Sequence, residues 1–394
     1  MRIRNTSNLE GGFTLIEVMV ALAIGIILST ILSLIFVANG SYRNDLDRSS
    51  RLVENGSYAL QRIGSDAMMA QFYAELDVVG NMGKTIPPLA VYPGFATSKP
   101  DPCDTTLVGL RLGLRFAIQG YSAPDATTAP DLSTTTCAAL LTNLKPGSDI
   151  LVVRHTEPCN AGPTPDAGCD AVVPGRPYFQ ATHCADEAPT SGTPLTNPTC
   201  TSTATAATNS WCALDTDTAN LTLHNIGIDC HTAGTTASYH RYFVDIYYVS
   251  TEDKAGDGIP TLKLAQLDAA GGATAFNVSP LAEGVEALRF EYGIDNVAGV
   301  VDGIPDAYTA DPDTYVNAAG CPGTPTACPA NWGNVTTVKV HLLARNTEAT
   351  TLGYTNDKTF TLGGTTYGPF GDKFKRHVYE TVVRLHNVGD RRQS

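Results

Sequence analysis

Glu17 is the only ionisable side chain between Phe13 and Ala38. An ionised carboxylate inside an apolar span costs about 2.5–3.5 kcal/mol on insertion scales, so one kept there needs a partner and a purpose. Two acidic glycine turns offer a different chemistry. Asp253 and Asp257 lie in Asp253-Lys254-Ala255-Gly256-Asp257-Gly258, and Asp295, Asp302 and Asp306 flank the Asp302-Gly303-Ile304-Pro305-Asp306 turn. Calcium takes several carboxylate and carbonyl oxygens on such turns, which makes these five aspartates its candidates. Neither turn has the acidic spacing of an EF-hand, and a solvated turn with Asp and Gly in their usual places is the alternative.

Ten cysteines follow the apolar run: Cys103, Cys137, Cys159, Cys169, Cys184, Cys200, Cys212, Cys230, Cys321 and Cys328. An even count in Gly/Pro/Thr-rich sequence, outside the apolar run, reads as disulfides formed in an oxidising compartment. Short separations make Cys159 with Cys169 and Cys321 with Cys328 plausible neighbours, although connectivity does not follow from sequence. No C-x-x-C occurs, so the adjacent pairs His183-Cys184 and Cys230-His231 are a lesser, zinc-binding alternative. There is no G-x-S-x-G, no Gly-rich phosphate loop and no H-E-x-x-H, and the histidines are scattered; an enzyme is not expected. The net charge of -13 and the lack of a basic, aromatic-laced patch exclude a nucleic-acid partner.

The elements that must position these groups begin with a helix. The stretch from Phe13 to Ala38 is long enough to cross a bilayer, which takes ~20 residues. No proline precedes Pro87, and Tyr42, Leu46, Ser49, Val53, Gly56, Leu60, Ile63 and Ala67 recur at steps of four and three. That spacing makes one stripe on a continuing helix. Asp47 and Arg51 form a favourable pair one turn apart. The expectation is one helix from Phe13 to about Glu75, roughly 95 Å long, with its striped face packed under a soluble head. A seam between subunits is the other use of such a stripe. A connecting loop follows to about Thr105, and then an alternating strand from Leu107 to Ala117 that includes Arg111 and Arg115. Ser148 to His155 reads as a buried strand. Residues 157–231, rich in Thr, Pro, Gly and cysteine, read as a disulfide-pinned insertion. Five further strands are expected at Tyr239–Ser250, Thr261–Leu267, Val285–Tyr292, Val335–Arg345 and His377–Leu385. They suggest one antiparallel sheet on the amphipathic half of the helix, an α+β fold.

A cleavable secretory signal would place its small-residue cut site after the apolar run, and none stands beyond Ala38. A plain single-span anchor leaves Gly11-Gly12 and Glu17 unexplained. Gly12-Phe13-Thr14-Leu15-Ile16-Glu17, behind a leader carrying Arg2 and Arg4, resembles the class III signal of type IV prepilins and type II secretion pseudopilins. The resemblance implies cleavage by a prepilin peptidase between Gly12 and Phe13, N-methylation of Phe13, and an assembly role for Glu17. Gly12 suits such a cut because it brings backbone to the protease without a side chain. Glu17, one turn on, would then neutralise its own amine or that of a neighbouring subunit. It also implies a division into a leader (1–12), a membrane-spanning half-helix (13–38), an amphipathic half-helix (39–76) and a periplasmic or extracellular β-rich head (77–394). Major pilins break the apolar half of this helix with a proline; here Leu34 and its neighbours stand instead.

Tyr247-Tyr248-Val249, Gly258-Ile259-Pro260-Thr261-Leu262, the run from Pro280 to Gly293, and Val338-Lys339-Val340-His341-Leu342-Leu343-Ala344-Arg345 are similar to the C-terminal half of the PilW minor pilins. That family is itself similar to the J-type minor pseudopilins of type II secretion. The resemblance implies a type IV pilin-like fold and a subunit that primes pilus assembly and sits in the tip complex. Its implied partners are other minor pilins, the major pilin, a PilY1-type tip adhesin and an inner-membrane assembly platform. It would reside in the inner membrane with its head in the periplasm before assembly, and at the pilus tip on the cell surface afterwards. No cofactor is implied. A J-type pseudopilin, or an adhesin module using the cysteine-rich insertion, are the other readings.

Overall fold

The computed structural model describes residues 12–74, 99–114, 116–181, 212–226, 233–295, 302–315, 329–350 and 353–390. Helix α1, Leu15–Met69, is the spine of the molecule. Its 55 residues make a rod of about 82 Å. Thr14 opens it as an extended N-cap. The rod stops where Gln71 turns left-handed at φ 63 and its N–H donates to the carbonyl of Arg154 at 2.9 Å. The Asn387 side-chain amide donates to the carbonyls of Met68 and Ala70 at 3.4 and 3.2 Å. Carbonyls that a helix end leaves without intrahelical partners are thereby satisfied from the C-terminal end of the head.

The buried face of α1 comprises Leu52, Gly56, Ala59, Ile63, Gly64, Asp66 and Ala67, with Ala70 just past its end. Gly56, Ile63 and Ala67 of the expected stripe are buried and Ser49 and Leu60 half-buried, but the rest of the stripe is not. Val53, Tyr42 and Leu46 are exposed, at 52, 63 and 69%, because the head grips the helix mainly from Leu52 onward and presents a tyrosine ring to Gly56. In place of the expected Asp47–Arg51 pair, Arg48 reaches Asp45 at 3.6 Å and Glu348 of the head at 2.8 Å.

After the spine come α2 (Leu107–Gly113), β1 (Ile118–Tyr121), the single turn α3 (Cys137–Leu140), β2 (Ile150–Gly162), β3 (Tyr178–Ala181), β4 (Cys212–Asp215), β5 (His224–Ile226) and β6 (Ala233–Thr236). Then follow β7 (Tyr239–Ser250), β8 (Thr261–Ala270), β9 (Ala273–Glu283), β10 (Val285–Ile294), β11 (Ala307–Thr309), β12 (Val335–Arg345), β13 (Phe360–Leu362), β14 (Thr365–Tyr367), β15 (Arg376–Arg384) and α4 (His386–Gly389). The five expected strands are present but divide between two antiparallel sheets. One has seven strands in the order β1-β2-β7-β3-β4, with β8 also on β7 and β9 on β8; the other runs β11-β10-β12-β15. The fold is α+β, a long N-terminal helix on antiparallel sheets.

Alternation along β7 explains the layering. Tyr242, Val244, Ile246 and Tyr248 enter one core with Tyr73, Leu110, Leu114 and Phe179. Tyr247 and Val249 enter the other, with Ile63, Ala67, Phe290, Val340 and Leu342. The large sheet is therefore covered on both faces, and α1 lies in the core shared by the two sheets.

Three local expectations are corrected. Leu107–Gly113 is a helix, since Thr106 caps it through Gly109 N and Leu107, Leu110 and Leu114 have helical spacing. Strand β9 was not foreseen. It carries Pro280, sits at an edge where a missing N–H is tolerated, and joins β8 through the two-residue turn Gly271-Gly272 at φ 61 and 82, a hairpin signal in plain sight. Finally, the described parts of 157–231 are woven into the structure: the end of β2 pairs with β7, β3 with β7 and β4, and β5 with β6.

Candidate functional site

The first half of α1 stands apart from the head. Phe13, Leu15, Ile16, Met19, Leu22, Ile26, Leu32, Phe36 and Val37 are all exposed, and this part of the helix is long and apolar enough to cross a membrane, with none of that span buried in the molecule. Ser29, Thr30 and Ser33 interrupt the apolar surface, but their hydroxyls donate back to the carbonyls of Ile26 and Ser29 at 2.8–2.9 Å. Polar side chains satisfied within the helix are compatible with hydrocarbon surroundings.

Gly12, Phe13 and Thr14 precede the helix in irregular backbone. No atom lies within 4 Å of where a Gly12 Cβ would be, and Phe13 is 86% exposed. The Gly12–Phe13 bond is thus outside the helix, between two exposed residues. Glu17 closes a capping box. Its Oε2 accepts from the Thr14 N–H and the Thr14 hydroxyl, each at 2.9 Å, and its own N–H donates to the Thr14 hydroxyl at 3.4 Å. The carboxylate thereby sits at the positive end of the helix and satisfies a donor that the first turn would leave open. This second occupation of Glu17 was missed at sequence level, although Thr14-x-x-Glu17 is the capping-box spacing. An amine formed at Phe13 would arise one residue before the cap that Glu17 already holds.

The other predicted groups lie far along the chain. Cys159 is bonded to Cys169, and Cys103 to Cys137; the latter pairing had no sequence signal because it depends on α3 meeting the loop before α2. Cys321 and Cys328, and the His183-Cys184 and Cys230-His231 pairs, lie outside the described residues. In the first acidic turn the Asp257 carboxylate accepts from the N–H groups of Asp253, Lys254 and Ile259 at 2.8–3.2 Å. Those bonds hold its carboxyl below the usual range. In the second, Asp295 accepts from Gly303 N and Asp302 from Ile304 N, while the Asp306 N–H donates to Ile294. Among the described residues neither turn brings three His, Cys, Asp or Glu side-chain ligand atoms within 4.8 Å of one another. Three other groups do so; in two of them, Asp101–Cys103–Cys137 and Cys159–Asp166–Cys169, the thiols are taken up in disulfides.

Residues 246–387 match the family model described as Type IV Pilus-assembly protein W, and residues 7–33 match the prokaryotic N-terminal methylation motif. The first match spans β7 to α4 and the second spans Gly12, Phe13, Glu17 and the start of the apolar rod. No curated protein matches the chain. Among solved structures, the Type IV-like pilin TTHA1219 from Thermus thermophilus is 18% identical over 38% of this chain and 70% of that one, with a TM-score of 0.20. So low a score does not superpose the two folds, and the architecture rests on the elements described above.

Proposed function

We propose, from a prepilin-type N-terminus joined to a pilus-assembly protein W region, that this chain is a minor pilin. It primes type IV pilus assembly and takes its place in the tip complex. The observation that carries this reading is the division of α1: one half bare, apolar and bearing only Glu17, the other half clamped in a folded head. A helix so divided is suited to lateral packing in lipid or in a filament core while the head stays outside.

In this reading prepilin peptidase cuts Gly12–Phe13 and methylates the new amine of Phe13. Glu17 then exchanges its bonds to the uncharged donors of Thr14 for a bond to the charged amine of a neighbouring subunit. Both partners of the new bond are charged, and the exchange removes two unpaired charges from an apolar setting. The chain waits in the inner membrane with its head in the periplasm and is carried to the cell surface at the pilus tip. Its partners are other minor pilins, the major pilin, the assembly platform and a PilY1-type tip adhesin. The role is structural and not catalytic. A J-type minor pseudopilin would use the same helix, and the cysteine-rich segment could serve an adhesin, so gene deletion discriminates: loss of pili and twitching supports the pilus reading, whereas loss of secretion alone transfers the chain to the secretion machine. The pairing is tested with Glu17→Ala, which should still lose its leader by mass measurement but enter filaments poorly. Normal incorporation of that variant would remove the pairing.

A further inference from the structure

Asp66, His155 and Asp245 meet beneath the docked face of α1, at the opposite end of the helix from Glu17. They come from three elements, α1, β2 and β7. The strand register brings two of them together: Asp245 lies opposite Val153, so His155, two residues on, projects from the same face of the sheet. All three are buried, at 5, 8 and 1% exposure. One oxygen from each carboxylate and a ring nitrogen lie within 4.8 Å of one another.

The imidazole shows what the cluster requires. His155 Nδ1 is 3.1 Å from the Thr156 carbonyl, and a carbonyl only accepts, so Nδ1 carries a hydrogen and Nε2 is the nitrogen left to face the carboxylates. Nε2 is buried without a hydrogen-bond partner and faces Asp245 Oδ2 at 3.7 Å. A gap of 3.7 Å is longer than a direct hydrogen bond and leaves room for an ion between the two atoms. Ligand atoms of a tetrahedral zinc site with bonds of 2.0–2.1 Å are separated by about 3.3 Å, close to this spacing. Each candidate ligand is also held from behind, as metal ligands are. Arg62 Nη1 donates to Asp66 Oδ1 at 2.7 Å and the Tyr247 hydroxyl to Asp66 Oδ2. Gln266 donates to Asp245 Oδ1 at 2.8 Å, and the Thr156 carbonyl fixes the imidazole.

We propose that Asp66, His155 and Asp245 bind a divalent transition cation of the zinc type, which staples the spine helix to the head. One nitrogen and two carboxylates suit such an ion, whereas calcium asks for an all-oxygen shell. A cation bound to residues from α1 and from two strands would stabilise the joint where any pull along the helix passes into the head.

The test uses the metal-stripped, oxidised full chain in detergent at neutral pH. Equilibrium dialysis against zinc should leave one ion per chain and raise the unfolding midpoint by roughly 5 °C. Cobalt in place of zinc should give a tetrahedral nitrogen–oxygen spectrum without thiolate charge transfer, and His155→Gln and Asp245→Asn should each weaken zinc binding at least 100-fold. No retained zinc, a thiolate band with cobalt, or unchanged affinity in both variants overturns the proposal. If a variant fails to fold, the cobalt spectrum of the unaltered chain decides.

Discussion

Gly56 sets how closely the spine approaches the head, and replacing it with alanine tests the docking directly. A Cβ built there meets Tyr379 ring atoms at 2.5, 2.7 and 2.9 Å. The ring has little freedom to retreat, because it packs edge-on against His377 at a centroid distance of 4.6 Å and its hydroxyl donates to the Leu52 carbonyl at 3.3 Å. In an open helix the substitution would gain about 1 kcal/mol from propensity. Overpacking costs roughly 1–3 kcal/mol, and losing the long hydroxyl bond about 0.5 kcal/mol more. Gly56→Ala should therefore destabilise the head by about 0.5–2.5 kcal/mol. Gly64→Ala is the control: its Cβ would meet only Val383 Cγ2 at 3.6 Å, an ordinary contact, so it should stabilise by up to about 1 kcal/mol. Urea unfolding of the detergent-solubilised chain, followed by near-ultraviolet circular dichroism, measures both. Tyr379→Ala in the Gly56→Ala background should recover part of the loss. Equal stabilisation by the two alanines, or no coupling between positions 56 and 379, would refute the close approach.

Arg376 binds Glu286 and, at 2.7 Å, Asp372, and lies 3.5 Å from the centroid of the Phe370 ring; Arg376→Met should cost about 3–5 kcal/mol by leaving Glu286 buried without its cation, measurable as a lower urea midpoint. Hydrogen bonds from Arg376 hold the Asp372 carboxyl below the usual range against the opposing effect of burial. The folded pKa is thus the lower one, so this contribution is complete above the unfolded value near 3.9 and is lost as pH falls through the folded value. The acid limb of the stability profile should accordingly flatten in Arg376→Met, and an unchanged limb would count against it. The Cys103–Cys137 bond spans a sequence separation of 34; Cys103→Ser with Cys137→Ser should lower stability by about 2–4 kcal/mol, and a peptide mass map of the oxidised protein should recover the linked pair.

What the sequence determined by itself is local. Glu17 alone in an apolar run, the Gly pair before it and the absence of proline define an N-terminal helix without reference to anything it touches, because backbone propensity and solvent preference act over one or two turns. The strands Tyr239–Ser250 and Val335–Arg345 were legible to their ends for the same reason: long runs of β-branched and aromatic residues bounded by turn formers. Tertiary structure decided the rest. The buried face of α1 keeps Gly56, Ile63 and Ala67 of the apolar stripe but takes in Leu52, Ala59 and Asp66 where the stripe has Val53, and only Tyr379 shows why the missing side chain at Gly56 matters. Assigning strands to two sheets instead of one requires knowing which edges pair, and edges of similar composition are indistinguishable until chain connections and packing choose between them. The Leu107–Gly113 helix was mistaken for a strand because a short apolar run fits both periods, and its Thr106 cap settles it. The meeting of Asp66 with His155 and Asp245, separated along the chain yet joined by a strand register and a helix dock, has no trace in local sequence. Glu17 is the exception that spans both levels: its place was written in the sequence, but its grip on Thr14 required a folded first turn.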